Sequence, residues 1–420
     1  MNILIISQWF DPEPNNMKAL IFAKGLKQRG HSVQVLTGFP NYPMGKIFKG
    51  YKLKFYQKDV IEDILIHRVL LYPSHDLGSI RRSLNYSSFA IFAALIGPWV
   101  VRGKIDVIYV YHPPATVMFP ALILHKIKKA GILLDVNDLW PDTITSTGMI
   151  NKKLPLKLIT YWMNYSYRKA NKINVLSTGI KNLLEQRGVA KGKIVSIPVW
   201  CNESLINYEL DTDFLKTYNL HNCFIAIYAG AMGRAQNLST FIMAAKRLQS
   251  IIPTFKMIFI GHGVCLEELK DMVLKNDIVN IIFVPVKPPE ELTAILNLAD
   301  VLLIHLKKDP LFAVTIPSKI AYYFAIGKPI VAGLEGDAAD IIIKSGGGIV
   351  CTPQDVNEIA DGIEQIYKMD VAQRNSIADR GKKYYRDNFS MEEGITNFEE
   401  IMEDIVKMGR NRKGCLDKKI

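Results

Sequence analysis

The chain has 420 residues, of which 49% are hydrophobic and 22% are charged, and its formal net charge is +12. This length suits two domains of about 200 residues each, and the apolar content excludes a disordered chain. Five cysteines without a close pair or a metal-ligand spacing exclude a disulfide framework and a structural zinc site, and they favour a reducing cytoplasm.

The first residues and one internal stretch bear on targeting and on membrane contact. Met1 leads directly into the apolar strand NILIIS, so the sequence predicts no signal peptide. We expect no stretch long enough to span a membrane, because the most apolar one, residues 87–101, is interrupted by Gly97 and Pro98. Two interpretations of this stretch stay open: a buried helix, or a helix that lies in the membrane interface between the basic residues flanking it.

Short apolar runs alternate with helical patterns along the chain. The predicted strands of the first half are residues 3–7, 32–37, 106–111, 132–137 and 172–177. A second series of six apolar strands begins near Asn222. Strands alternating with helices predict parallel sheets covered on both faces.

The sequence therefore predicts an α/β protein with two facing, doubly wound, Rossmann-like domains. They comprise residues 1–200 and 201–388, and a C-terminal helix and basic tail follow over residues 389–420. In such sheets a ligand lies at the carboxyl ends of the strands, so the cleft between the domains is the expected active site. The expected ligand is a nucleotide or another phosphate-bearing molecule.

Two segments of the first domain carry candidate catalytic residues. His112 follows a buried strand in YVYHPP, and a histidine that titrates near neutrality can hydrogen-bond a sugar hydroxyl. In DVNDLWPD, Asp138 can accept a proton, Trp140 offers a flat face for sugar stacking, and Asp142 can bind further hydroxyls. The alternatives are a loop histidine satisfied by backbone, a helix-capping Asp138 and a core Trp140.

Two segments of the second domain predict a phosphate site. In YAGAMGRAQN, Gly230 lets the backbone approach a ligand and Arg234 offers a fork of donors to a diphosphate. In TIPSKIAYY, Thr315, Ser318 and Lys319 lie at a predicted helix start with free amides. The alternatives are glycines that only turn the chain beside a solvated arginine, and an ordinary capped helix.

The C-terminal tail, residues 407–420, has six basic residues and one acidic residue. We expect it to be disordered and suited to an anionic surface, with a solvated tail that has no partner as the alternative. Nucleic acid is not the expected partner, because the sequence contains no recognised nucleic-acid module.

The motifs also resemble a known family. RGHSVQVLTG near the start, YAG with a following Asn237, GHG at 261–263, LADVLL at 298–303 and PSK…GKPIVA occur in the order found in the retaining glycosyltransferases of family four, which have the GT-B fold. The segments QWFDPEPNN, TGFPNYP and DLWPD are similar to bacterial fucosaminyl- and fucosyltransferases of O-antigen, capsule and colanic acid assembly.

The resemblance implies the transfer of a sugar from a nucleotide diphosphate donor, with retention and without a metal. It implies a donor-binding C-terminal domain and an acceptor-binding N-terminal domain, with Asn15 and Asn16 standing where many relatives have paired glycines beside the donor's diphosphate. Glu13 is expected to face the same diphosphate, and Tyr111 competes with His112 for the family's histidine position.

The chain also departs from the family pattern. Ala231 and Gln236 stand where relatives commonly have an arginine and a lysine, and Val314 and Tyr322 stand at or near two usual glutamates. In the family the first glutamate contacts the donor sugar and the second contacts the ribose.

The expected function is therefore that of a hexosyltransferase without a cofactor, using a UDP-sugar and moving a sugar such as N-acetylfucosamine onto a lipid-linked (polyprenyl diphosphate) oligosaccharide. We expect it in the cytoplasm, peripheral on the inner face of the bacterial plasma membrane. The alternatives are a sugar-nucleotide epimerase of the same fold and a non-catalytic sugar-nucleotide-binding protein.

Overall fold

A computed structural model describes residues 1–13, 19–74, 79–146, 152–206 and 211–416 of the chain, and the candidate residues Asn15 and Asn16 lie outside this part. The chain divides into two compact units. The first comprises Met1–Pro198 together with Glu392–Ile420, and the second comprises Val199–Met391. Each unit contains one sheet with helices packed on it.

The first unit begins with fourteen elements. In chain order they are β1 (Asn2–Ile6), α1 (Leu20–Gln28), β2 (Ser32–Gly38), β3 (Tyr56–Ile61), β4 (Ile64–Val69), α2 (Ser79–Val100), β5 (Val107–His112), α3 (Met118–Lys128), β6 (Gly131–Val136), α4 (Asp142–Ser146), α5 (Lys153–Lys169), β7 (Lys172–Val175), α6 (Thr178–Gln186) and β8 (Ile194–Ser196). A short 3-10 turn, Ala115–Val117, joins β5 to α3.

The first sheet has the order β3-β4-β2-β1-β5-β6-β7-β8. Strands β1, β2, β5, β6 and β7 are mostly buried apolar runs, as the sequence predicts for a sheet that is covered on both faces, whereas the edge strand β3 has no buried residue. The prediction of a wholly parallel sheet is wrong at one edge, because β3 pairs antiparallel with β4. Glu62 and Asp63 turn the chain between these strands with φ of 51° and 57°, which is the geometry of a tight hairpin.

Helix α2 contradicts the expectation that no stretch reaches the length of a membrane span. It continues through Gly97 and Pro98 to Val100, and Ile80–Val100 is long and apolar enough to cross a membrane by length and composition. Only 33% of its most apolar window is buried inside the protein. Phe89 and Ala93 pack in the core, so one face of α2 is structural and the other is exposed.

The second unit also contains one sheet. Its elements are α7 (Thr212–Thr217), β9 (Phe224–Ala229), α8 (Ser239–Gln249), β10 (Phe255–Ile260), α9 (Leu266–Lys275), β11 (Ile281–Val284), α10 (Pro289–Leu296), β12 (Val301–His305), α11 (Pro310–Ala313), α12 (Lys319–Ile326), β13 (Ile330–Gly333), α13 (Asp337–Ser345), β14 (Gly348–Cys351), α14 (Val356–Lys368) and α15 (Val371–Asn388). The strand order is β11-β10-β9-β12-β13-β14, and every pair is parallel.

The last helix, α16 (Met391–Leu416), packs on the first unit. Arg29 and His31 contact Glu399 at 3.0 and 2.7 Å, and Phe398 is fully buried. The expectation of a disordered tail from residue 407 is wrong as far as Leu416, because α16 continues to that residue. The stretch contains no proline to end the helix, and Lys407 pairs with Glu403 one turn earlier at 3.4 Å.

The docking of α16 gives a prediction for stability. The Phe398 ring lies 5.2 Å from that of Phe22 and 5.7 Å from that of Tyr109, measured between ring centroids. Replacing Phe398 by Ala should lower the free energy of unfolding by about 3–5 kcal/mol, because it leaves a cavity between α16 and the sheet. Urea denaturation measures this loss, and Met408→Ala on the exposed part of α16 is the matched control. An equal, small effect of both changes would contradict this packing.

Candidate functional site

The strand order of each sheet fixes where a ligand can lie. β1 has β2 on one side and β5 on the other, and β9 has β10 on one side and β12 on the other. At such a point the connections after neighbouring strands leave to opposite faces of the sheet, and a crevice opens at the strands' carboxyl ends. The candidate residues of both units come from the loops at these two points.

In the second unit the structure brings Gly230 and Lys319 into contact. Gly230 directly follows β9 with φ of +138°, which L side chains rarely adopt. A Cβ at this position would lie 2.6 Å from Lys319 Cε and 2.8 Å from its Nζ. The glycine therefore leaves the space through which the lysine reaches the crevice.

Tyr228 fixes the position of this lysine. Lys319 Nζ donates to the Tyr228 hydroxyl at 3.2 Å and lies 4.6 Å from the ring centroid. The hydroxyl in turn donates to the Ala231 carbonyl at 2.6 Å. Burial lowers the pKa of the Lys319 ammonium to about 8. Among the described residues the ammonium has no carboxylate partner, and a desolvated cation of this kind favours the binding of an anion.

The other predicted phosphate ligands lie around this lysine in the chain but are less constrained. Ser318 precedes α12, and its hydroxyl makes no capping hydrogen bond. Thr315 donates its hydroxyl to the Leu311 carbonyl at 2.8 Å, so it is left with acceptor capacity only. Arg234 is exposed in the loop between β9 and α8. Lys319 is therefore the best-positioned cation of the predicted set.

Gln236 and Tyr322, which stand where the family resemblance predicts charged groups, make structural contacts, and so does the neighbouring Tyr323. Gln236 accepts from the Gly233 amide at 3.1 Å through its side chain and from His305 Nδ1 at 2.8 Å through its carbonyl. The hydroxyl of Tyr322 is hydrogen-bonded to Thr293 on α10. Tyr323 accepts from the Ala229 amide at 3.1 Å. These contacts hold the loop after β9 and helix α12 in place.

In the first unit, His112 ends β5 and is 1% exposed. Within the described part of the chain neither ring nitrogen has a hydrogen-bond partner. Burial lowers the pKa of the imidazole to about 4, so the expectation of titration near neutrality is wrong. The ring is neutral at pH 7 and can exchange hydrogen bonds with a hydroxyl, but it does not supply a charge. Tyr111, one residue earlier, is half-buried.

The segment after β6 places Trp140 beside this histidine, and it places Asp138 where its charge acts on the hydroxyls of Tyr42 and Tyr86. The Trp140 ring is half-buried and meets His112 edge-to-face at 5.6 Å between centroids. Asp138 has an exposed side chain, yet the protein around it raises the pKa of its carboxyl through desolvation. The helix-cap interpretation of Asp138 fails, because α4 begins only at Asp142.

Two further acidic residues are engaged within the protein. Asp142 receives both terminal nitrogens of Arg187 at 2.8 and 2.6 Å, so its two oxygens are occupied by an ion pair. Glu13 is 1% exposed and accepts from the amides of Phe10, Asn41 and Tyr42 at 3.0, 2.8 and 2.8 Å. It ties together the loops after β1 and β2, and the expectation that it faces the donor is wrong.

Sequence reasoning missed a row of aromatic rings at the same sheet edge. Trp9 lies 5.2 Å from Tyr42 and 6.1 Å from Tyr86, and Tyr86 lies 6.2 Å from Trp140. Such faces suit sugar rings and other flat apolar groups. The residues come from three loops and from α2, so no local pattern in the sequence could have joined them.

Comparison with known proteins covers both units. Residues 19–200 match the family model of the glycosyl transferase 4-like domain, and residues 214–384 match that of glycosyl transferases group 1. WcaI of Escherichia coli K12, a protein assigned to colanic acid biosynthesis as a glycosyl transferase, is 25% identical over 377 residues, which is 87% of this chain and 92% of that protein. WbjE of Pseudomonas aeruginosa, also assigned as a glycosyltransferase, is 23% identical over 63% of this chain and 67% of its own length.

Solved structures show the same fold. HepE from Anabaena in complex with UDP-glucose superposes with a TM-score of 0.71 at 14% identity, over 96% of this chain and all of that one. Sucrose-phosphate synthase from Thermosynechococcus elongatus gives 0.69 at 16% identity, over 97% and 100%. The recognised GT-B fold is confirmed.

The carboxyl of Glu13 gives a pH-dependent prediction. Burial raises its pKa from 4.5 to about 7, so between these values the folded protein keeps a proton that the unfolded chain releases. Raising the pH through this window should therefore lower the free energy of unfolding, and Glu13→Gln should remove this part of the dependence. Denaturation of both proteins from pH 4 to 8 measures the difference, in which all other titrations cancel. If the free energy of unfolding varied with pH in the same way in both proteins, the raised pKa of Glu13 would be contradicted.

Proposed function

Because the chain belongs to the glycosyltransferases with a 4-like N-terminal domain and a group 1 C-terminal domain, we propose that it moves a sugar from a nucleotide diphosphate donor to a lipid-linked oligosaccharide. The observation that carries the donor half of this proposal is the buried ammonium of Lys319 at the switch point of the second sheet. The proposed pathway class is surface polysaccharide assembly, in line with the similarity to WcaI.

The second unit binds the donor in this proposal. The diphosphate lies against Lys319, Ser318 and the start of α12, with Arg234 closing over it from the loop after β9. These cations and amides neutralise the departing diphosphate, so no metal ion is needed. The proposed donor is a UDP-sugar, and HepE is a protein of this fold that was solved with UDP-glucose. The proposed sugar is an N-acetylated amino sugar or a deoxy sugar, such as N-acetylfucosamine.

The first unit binds the acceptor. Trp140 and the aromatic rings beside it stack on the acceptor sugar, and His112 exchanges a hydrogen bond with a hydroxyl. The acceptor oxygen forms a bond to the anomeric carbon while the bond from that carbon to the diphosphate oxygen breaks. Asp138 receives the proton of the acceptor hydroxyl, because its raised pKa makes it a better base than an ordinary aspartate. The anomeric configuration is retained in this proposal.

The proposed location is the cytoplasmic face of the plasma membrane. The exposed side of α2 carries Ile80, Leu84, Ile91, Leu95 and Trp99, which recur at helical spacing along its length. An apolar stripe of this kind, with Arg81 and Arg82 near its start, suits a helix that lies on an anionic bilayer surface. A membrane contact there brings the first unit to its lipid-linked acceptor.

The donor site is tested by mutation. Lys319→Ala should weaken the binding of UDP and UDP-sugars about 10- to 100-fold, because a charge-assisted hydrogen bond is lost. Arg234→Ala should weaken it by a smaller factor, since that side chain is exposed. Thermal-shift titration with UDP-, GDP- and dTDP-sugars measures this, with Lys344→Ala on α13 as a surface control. Unchanged affinity in both cation variants would refute the site.

The acceptor site gives the complementary prediction. Asp138→Asn should leave the affinity for the donor within about twofold and reduce transfer at least about 100-fold, because it removes the base but keeps the shape. Single-turnover transfer to a lipid extract measures the rate. Full transfer activity in this variant would assign the proton to another group.

The pH dependence of donor binding isolates Lys319. Affinity for UDP should fall as the pH rises above about 8, because the ammonium loses its charge there. Lys319→Arg, whose guanidinium stays charged, should bind UDP with an affinity that is flat between pH 7 and 9.5. Calorimetric titration over this range compares the two proteins. The same decline of UDP affinity in both proteins would show that a group other than Lys319 governs the pH dependence.

A further inference from the structure

The first unit contains an apolar groove that the transfer reaction itself does not require. Its volume is about 530 Å³, which is within the range of roughly 300–1,000 Å³ for small-ligand sites. Helix α2 lines it with residues 82, 83, 86, 87, 90 and 91, which form one face of the helix over more than two turns. The opposite side comes from α3, α4 and α5, through residues such as Phe119, Ile144 and Leu158.

Hydrogen bonds hold the sides of this groove in place. Thr116 donates its hydroxyl to the Tyr86 carbonyl at 3.2 Å, which ties the turn after β5 to α2. Trp162 donates its indole N–H to the Ala115 carbonyl at 2.9 Å, which ties α5 to the same turn. Because these contacts are made within the protein, the groove is pre-formed.

The two ends of the groove differ in charge. Arg82 lies at one end, where its charge also acts on the hydroxyls of Tyr42 and Tyr86. Trp140, which contacts His112, lines the same groove. Towards Ile91 and Leu158 the lining is apolar, and both of these side chains are partly exposed, at 49% and 62%. The distance along α2 from Arg82 to Ile91 is about 14 Å at 1.5 Å per residue.

We propose that this α2–α5 groove holds the first part of the hydrocarbon chain of a phosphate-linked lipid acceptor, with the lipid phosphate on Arg82. The inference rests on the proposed function and adds that this groove binds the lipid part of the acceptor. In such an acceptor the phosphate joins the sugar to the chain. A sugar at Trp140 then places the phosphate beside Arg82 and the chain between α2 and α5.

The surroundings of the groove favour a lipid over a protein partner. The apolar stripe of α2 continues past the groove through Leu95 and Trp99, and α5 adds Leu154, Leu158 and Tyr161 at positions i, i+4 and i+7. Lys152, Lys153 and Lys157 are exposed near the start of α5. Apolar side chains with cations beside them complement an anionic lipid surface, from which a single chain can enter the groove.

The test uses the full chain and farnesyl phosphate, a short isoprenyl phosphate, in the presence of saturating UDP so that the donor site is filled. Quenching of Trp140 and Trp162, which line the groove, reports binding. Ser87→Phe fills the groove from an exposed position and should weaken farnesyl phosphate at least tenfold. Arg82→Gln should weaken farnesyl phosphate about tenfold and leave farnesol unchanged, because only the phosphate contact is lost.

Two matched controls stand on the same helix. Leu95→Phe and Arg81→Gln change an exposed apolar residue and an exposed cation that do not line the groove, and both should bind farnesyl phosphate within twofold of the unchanged protein. Wild-type affinity in Ser87→Phe, or competition by inorganic phosphate as strong as that by farnesyl phosphate, would overturn the proposal.

Other occupants give different results. Loss of binding to phosphatidylglycerol vesicles in Ser87→Phe, with farnesyl phosphate affinity retained, would assign the groove to a membrane acyl chain and overturn the proposal. A changed oligomeric state with retained affinity would assign it to a second copy. Failure of the proposed function is separate, because it would appear as absent sugar transfer in a protein that still binds farnesyl phosphate in the groove.

Discussion

The close contact between Lys319 and Gly230 is the one on which the proposed donor site depends. The lysine begins α12, the glycine directly follows β9, and the ammonium donates a hydrogen bond to the Tyr228 hydroxyl. A cation placed there loses hydration that only an anion or another acceptor can replace, which is why its pKa falls to about 8. The strand order places this cation where connections leave the sheet in opposite directions, which is the crevice proposed for the diphosphate.

The first unit has a similar strand order, but the buried residue at its strand ends is uncharged. His112 ends β5, which lies next to β1, and Gly230 directly follows β9, which lies next to β12, but burial keeps the imidazole uncharged. Trp140 packs against this ring, and Tyr86 continues the aromatic row from there. One architecture thus carries a buried cation at the strand ends of one unit and a row of aromatic rings at those of the other, and the difference comes from a few side chains there.

Much of this organisation was predictable from the sequence. The apolar strands, the repetition of the α/β pattern and the placing of Lys319 at a helix start depend on local periodicity and turn chemistry, which a sequence displays directly. The role of Tyr228, the three amides bound by Glu13 and the aromatic row from Trp9 to Trp140 depend on segments far apart in the chain. The antiparallel β3 and the uninterrupted α2 were missed because local patterns alone do not determine edge pairing or the tolerance of Pro98 near a helix end.

The central claim is that this chain joins a sugar to a lipid, and mass spectrometry of lipids tests it most directly. A bacterial membrane lipid extract, incubated with the protein and a mixture of sugar nucleotides, should yield a lipid-linked saccharide heavier by one sugar residue, together with the free nucleoside diphosphate. Lys319→Ala should suppress both products. Release of nucleoside diphosphate with no change in any lipid mass, or no turnover of any donor in the mixture, would contradict the account.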